Sequence, residues 1–122
     1  LVAPDDRSEE EKAKLDLSDT LIAELQAADI VVIGAPIYNF GAPASLKAWM
    51  DLVARPDVTF RYGANGPEGI LTDKKAIAVV ASGGVPVGSD VDFLSSHLKF
   101  FLAFIGIKDV EIRAAKDINS AI

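Results

Sequence analysis

A chain of 122 residues, half of them hydrophobic, can bury the core of one domain and is too short for two. Its net charge of −6 argues against nucleic acid as a partner, and no Cys with a single His leaves no disulfide framework, thiol nucleophile or Cys- or His-rich metal site. No apolar run approaches the ~20 residues of a membrane span and no signal peptide is visible, so a cytoplasmic protein without bound metal is expected.

Leu1-Val2-Ala3-Pro4-Asp5-Asp6 reads as a loop, and Asn119-Ser120-Ala121-Ile122 stops without a closing helix. Both ends suggest a piece of a longer protein. Ser8-Glu9-Glu10-Glu11 matches a capping box, with acidic residues at the positive end of a helix dipole. Leu17, Leu21, Leu25 and Ala28 then predict the apolar face of a helix over residues 9–28. Residues 30–35 carry no polar side chain, the pattern of a parallel strand buried on both faces. A helix over 43–54 follows, with Pro43 at its first position and Leu46, Trp49, Met50 and Val53 on its apolar face.

Residues 55–75 form a long connection, a length that is often functional. Val58-Thr59-Phe60-Arg61-Tyr62 alternates like a short strand, and Gly63, Asn65-Gly66-Pro67 and Gly69 mark turns. Residues 76–81 predict a second buried strand, running into Ser82-Gly83-Gly84 and a loop with Pro86 and Gly88. A helix over 91–105 buries Leu94, Leu98, Phe101, Leu102 and Ile105, with Gly106 at C′ and Ile107 at C″. Val110-Glu111-Ile112-Arg113 predicts an edge strand with one wet face. Alternating helices and strands make half of a doubly wound parallel sheet. At least one more strand–helix unit on the amino side is expected.

In such a sheet, ligands bind outside the carboxyl ends of the strands. Two loops leave those ends, 36–41 and 82–88, and both should open on one edge. In Pro36-Ile37-Tyr38-Asn39-Phe40-Gly41, the Asn39 amide can donate and accept, and Tyr38 and Phe40 offer ring faces suited to a planar heterocycle such as a flavin. The other reading is a turn whose aromatics pack in the core, and spacing alone leaves both open. Gly83-Gly84 lets backbone N–H groups approach a ligand, or is an ordinary turn. Phe60 and Tyr62 could line a cavity or anchor the long connection. Phe100, Phe101 and Phe104 suggest a helix buried between the sheet and a partner subunit. Arg55 and Arg61 could meet a phosphate or be surface charge, Lys74-Lys75 reads as a solvated turn, and His97 as an ordinary helix residue. No acid/base pair or nucleophile stands out, which suits redox chemistry carried by a cofactor.

Several segments resemble the FMN-dependent NADH-azoreductases, also called FMN-dependent NADH:quinone oxidoreductases, of the flavodoxin-like superfamily. They are Ala28-Asp29-Ile30-Val31-Val32-Ile33, Ala35-Pro36-Ile37-Tyr38-Asn39-Phe40, Leu46-Lys47-Ala48-Trp49, Val58-Thr59-Phe60-Arg61-Tyr62, Asn65-Gly66-Pro67-Glu68-Gly69 and Phe104-Ile105-Gly106-Ile107. The resemblance implies an α/β flavodoxin-like fold, a doubly wound parallel sheet in a three-layer α/β/α arrangement. It implies that residues 1–122 are the central and C-terminal portion of one domain. The family's first strands, its Ser-rich phosphate loop and its last helix have no counterpart in this sequence.

It further implies a homodimer with FMN at the interface. Ile37, Tyr38, Asn39 and Phe40 would contact the flavin, together with Ala81, Ser82, Gly83 and Gly84, where family members usually carry Ser-Arg-Gly-Gly. Phe60, Tyr62 and Phe101 would line the substrate side. The implied activity is ping-pong reduction of quinones and azo compounds with NADH as electron donor. Two other readings share the topology. A flavodoxin-like FMN electron carrier would lack the substrate pocket that the 55–75 connection suggests. A phospho-receiver domain would need an Asp at the end of a central strand, where this chain has Ala35-Pro36 and Ala81-Ser82; only Lys116 favours it.

Overall fold

The computed structural model describes residues 8–118, in the order α1 (Glu9–Ala27), β1 (Ile30–Pro36), α2 (Ala44–Val53), β2 (Phe60–Gly63), β3 (Gly66–Gly69), β4 (Lys75–Ala81), α3 (Phe93–Phe104), β5 (Asp109–Ala114) and α4 (Ala115–Ile118). The loop expected at 1–6 and the chain end at 119–122 lie outside the described residues. β1, β4 and β5 form a parallel sheet in the order β1-β4-β5. Pro36 lies opposite Ala81, and Val80 opposite Ala114. The three carboxyl ends are therefore level, and the loops that follow them emerge on one edge.

The capping box forms as expected: the Glu11 N–H donates to Ser8 Oγ and the Ser8 N–H to Glu11 Oε1. The buried stripe of α1 is turned from the expected one. Ser18, Ile22 and Leu25 are buried, whereas Leu17 is half exposed. Positions 18, 22 and 25 lie on one side of a 3.6-residue helix, and the Ser18 hydroxyl is satisfied by donating to the Leu52 carbonyl at 2.5 Å. Lys74, expected in a solvated turn, donates to the carbonyls of Gln26 and Ala28. It places a positive charge on the C-terminal end of α1, whose last turn has no basic residue of its own.

β1 departs from its sequence reading. It was expected to be buried on both faces, but Ile30 and Val32 are exposed, Val32 by 68%. Among the described residues β1 has a strand neighbour on one side only, and no described element covers these two side chains. β4, in the centre, fits the expectation better: Ala76, Ala78 and Val80 are sealed, and Ile77 and Val79 half-buried. β5 occupies the edge position expected of it.

The core gathers Ile22 and Leu25 from α1, Leu46, Met50 and Val53 from α2, and Leu94, Leu98 and Leu102 from α3 around the sealed face of β4. α2 begins at Ala44, with Pro43 just outside it as N-cap. α3 ends in a Schellman motif: the Ile107 N–H donates to the Leu102 carbonyl, the Gly106 N–H to that of Ala103, and Gly106 has φ +110. The buried Ile107 completes this predicted cap.

The 55–75 connection contains one strand more than expected. β2 and β3 pair as an antiparallel hairpin, with Phe60 opposite Gly69. Gly63 lies opposite Gly66, so Ala64-Asn65 is the two-residue turn, inside the stretch whose Gly63 and Asn65-Gly66-Pro67 mark a turn in the sequence. Thr59, fully buried, donates its hydroxyl to the Val53 carbonyl and accepts from the Arg55 N–H, tying the hairpin to the end of α2. At its other end, the Leu71 N–H donates to the Ile105 carbonyl. The connection is thus anchored to the ends of two helices.

Candidate functional site

The first loop begins where the β1–β4 ladder ends. The Ile37 N–H donates to the Ala81 carbonyl at 2.8 Å, so the two candidate loops start from a shared hydrogen bond. Tyr38 and Gly41 then exchange both backbone hydrogen bonds, at 3.1 and 3.0 Å. Between them, Asn39 (φ 48) and Phe40 (φ 68) are both left-handed. This is the backbone class of a tight two-residue hairpin turn, which usually carries Asn-Gly. Asn tolerates the conformation, but a Phe there costs on the order of 1 kcal/mol. The Phe93 N–H, at the start of α3, donates to the Phe40 carbonyl at 2.9 Å and helps hold it. Ile37 turns into the core, while Tyr38 and Phe40 stand 62% and 54% exposed. The reading in which these aromatics pack in the core does not hold.

The second loop presents backbone. A Cβ built on Gly83 or Gly84 would meet nothing within 4 Å. Both glycines are exposed, so the backbone there can be approached without a side chain in the way. Ser82 shapes the turn: its hydroxyl accepts from the Val85 N–H at 2.8 Å. A cavity of about 340 Å³ lies between this loop and the Ala114-Ala115-Lys116 stretch after β5. Further on, Gly88 (φ +85) donates its N–H to Asp92 Oδ2 at 2.8 Å.

Asp92 is the N-cap of α3. Burial raises its carboxyl pKa, but hydrogen bonds from the Gly88 amide, the Ser95 hydroxyl and the Ser95 and Leu94 amides outweigh that, and the net shift is downward. Sequence reasoning started this helix at Val91 and missed the cap, although Asp before an apolar helical run is a known start signal. The left-handed pair at Asn39 and Phe40 had no comparable signal, because Phe has no preference for that conformation.

The residues expected on the substrate side are less concentrated. Phe60 is buried against Phe104, with ring centroids 4.6 Å apart, and makes an edge contact with Tyr62. Tyr62 is 73% exposed. Phe101 is half-buried and meets the edge of Trp49 at 6.0 Å. Phe60 thus anchors the hairpin, leaving Tyr62 as the ring it presents. The two candidate phosphate contacts are engaged elsewhere: Arg55 pairs with Asp19, and Arg61 with Glu68 at 3.4 Å. His97 is exposed on α3. Among the described residues no group of His, Cys, Asp and Glu could hold a metal, and no helix is long and apolar enough to cross a membrane.

Among the described residues the site therefore offers aromatic faces, one amide side chain and exposed glycine backbone, without an acid/base pair. Such a set can bind and polarise a flat ligand, while the chemistry is supplied by that ligand.

Known proteins are similar to this chain in sequence and fold. The chain is 57% identical over 112 residues to an FMN-dependent NADH:quinone oxidoreductase of Erythrobacter litoralis, covering 92% of this chain and 57% of that protein. It is 56% identical over 112 residues to a protein of the same name from Thiobacillus denitrificans, with 92% and 55% covered. The chain thus spans somewhat more than half the length of these relatives. Among solved structures, it superimposes with a TM-score of 0.78 at 28% identity on an FMN-dependent NADH-azoreductase of Bacillus anthracis in complex with FMN, covering 91% of this chain and 56% of that one. A family model described as Flavodoxin-like fold matches residues 2–122. With its parallel βα sheet and this match along almost its whole length, the chain belongs to that flavodoxin-like family.

Proposed function

We propose that the protein is an FMN-dependent oxidoreductase that uses NADH to reduce quinones and azo compounds, and that it works as a homodimer. The observation that carries this reading is the union of two unlike loops on one sheet edge. The first presents Tyr38, Asn39 and Phe40 on a strained turn, and the second presents bare backbone at Gly83 and Gly84. These residues fit FMN. A flat tricyclic ring needs ring faces and close backbone approach, and the empty space at both glycines provides the latter. The names of the relatives support the same assignment.

Bound FMN would supply two-electron redox chemistry, taking hydride from NADH and reducing the second substrate in a ping-pong cycle. The chain's own residues hold and polarise it. Tyr38 and Phe40 lend aromatic surface, with Ile37 and Ala81 fixing the loop bases. The Asn39 amide and the Gly83 and Gly84 N–H groups would stabilise negative charge that develops on a bound ring. Ser82 acts through the shape of its turn. Tyr62 and Phe101 border the substrate side, and Phe60 supports Tyr62 through their edge contact. The exposed Phe93 and Phe100 on α3 suit a face covered by a second copy. An NADH donor favours the cytoplasm as location.

Titration with FMN, followed by quenching of flavin fluorescence, tests the cofactor. NADH oxidation with a quinone tests the reaction. Saturable one-to-one binding and quinone-dependent turnover are expected. A folded full-length protein that binds no FMN would overturn the reading, and one that binds FMN without turnover would be an electron carrier instead.

A further inference from the structure

We propose that Asp92 is a positioning residue that locks the two candidate loops into one site. Its consequence for ligand binding rests on the FMN reading above; its geometry does not.

Asp92 is 4% exposed, and all its contacts are internal. Oδ1 accepts from the Leu94 and Ser95 N–H groups at 3.1 and 2.9 Å, which is the whole of an N-cap's task. Oδ2 has separate work: it accepts from the Gly88 N–H at 2.8 Å and from the Ser95 hydroxyl at 2.5 Å. Gly88 ends the loop that carries Gly83 and Gly84. The next residue, Phe93, donates its N–H to Phe40 in the other loop. Adjacent residues at one helix end thus grip both loops. The helix by itself does not require this arrangement, since Ser or Asn caps as well as Asp. A carboxylate is required to cap with one oxygen and accept from two further donors with the other.

That division of labour gives the test. Asp92→Asn keeps the capping oxygen but turns an NH₂ toward the Gly88 N–H. Asp92→Ser keeps a capping hydroxyl and removes the second oxygen, so either variant decides if the other fails to fold. In the protein without FMN, amide exchange at Gly88 and at Gly41 should both rise by about tenfold or more, while unfolding stays cooperative. The FMN dissociation constant should rise about tenfold or more. Ser95→Ala leaves the Gly88 bond in place and should change that constant by less than about threefold. Unchanged exchange at both glycines, or faster exchange at Gly88 alone, would overturn the lock. Faster exchange at both with unchanged FMN affinity would overturn its role in binding. If the wild-type protein binds no FMN, the functional reading fails, and the exchange rates still decide the lock.

Discussion

Two pairs of glycines, in two regions of this molecule, do opposite jobs. A Cβ on Gly69 would lie 2.1 Å from the Gly106 nitrogen, and one on Gly106 would lie 2.8 Å from the Leu71 nitrogen. Backbone meets backbone there, and the absent side chains allow the long connection to dock on the end of α3. Gly83 and Gly84 face open space instead. The fold makes no steric use of their missing side chains. The first pair serves packing, whereas the second is available to a ligand. Glycine content alone does not distinguish the two; the surroundings do.

The contrast breaks most visibly at the packed pair. Gly69→Ala should destabilise the protein by about 3 kcal/mol, since neither backbone can yield without undoing the dock. Thermal melting should show this as a drop on the order of 10 °C. A melting temperature within a degree or two of wild type would mean that the contact is not tight. At the open pair the pattern reverses. Gly84→Ala should change stability by less than about 0.5 kcal/mol but weaken FMN binding about tenfold or more, as a methyl group enters the ligand's space. Parallel melting and titration read both effects. A variant with full affinity would remove the backbone-approach argument.

A third change sharpens the role of the opposite loop. Phe40→Gly relieves a left-handed Phe, so stability should rise by about 0.5 kcal/mol while FMN affinity falls. Denaturant midpoints set against binding constants check it, and a joint rise in both would show that the ring has no part in binding. The smallest effect concerns pH. The Asp92 carboxyl is held below its ordinary 3.8 despite burial, because four hydrogen bonds favour its charged form. The unfolded chain takes up that proton more readily. The contribution is therefore complete above about pH 5 and lost as pH falls through the folded-state value. Urea midpoints should drop more steeply between about pH 5 and pH 3 in wild type than in Asp92→Asn.

Much of this was legible in the sequence because local chemistry agreed with the fold. The Ser8–Glu11 box, the Gly106 cap and the apolar faces of α2 and α3 each rest on short-range rules, and the structure follows them. β1 carries the pattern of a strand buried on both faces, and Ile30 and Val32 stand exposed because the described residues supply a neighbour on only one side. The stripe of α1 was misread because Ser18 is buried with its hydroxyl satisfied from α2, a contact that no hydropathy pattern announces. At the site, the two loops and their common edge followed from strand order. The grip that joins them did not, since it depends on where Gly88 and Phe40 stand relative to a helix end far from both in chemistry and, for Phe40, in sequence.

The most direct test of the two-loop site is to follow backbone amide resonances of the protein as FMN is added. The account predicts that Tyr38, Asn39, Phe40, Ser82, Gly83 and Gly84 shift together and saturate at one equivalent, while Asp29 and Lys108 at the opposite edge of the sheet stay put. Shifts centred on that opposite edge, or in only one of the two loops, would contradict it.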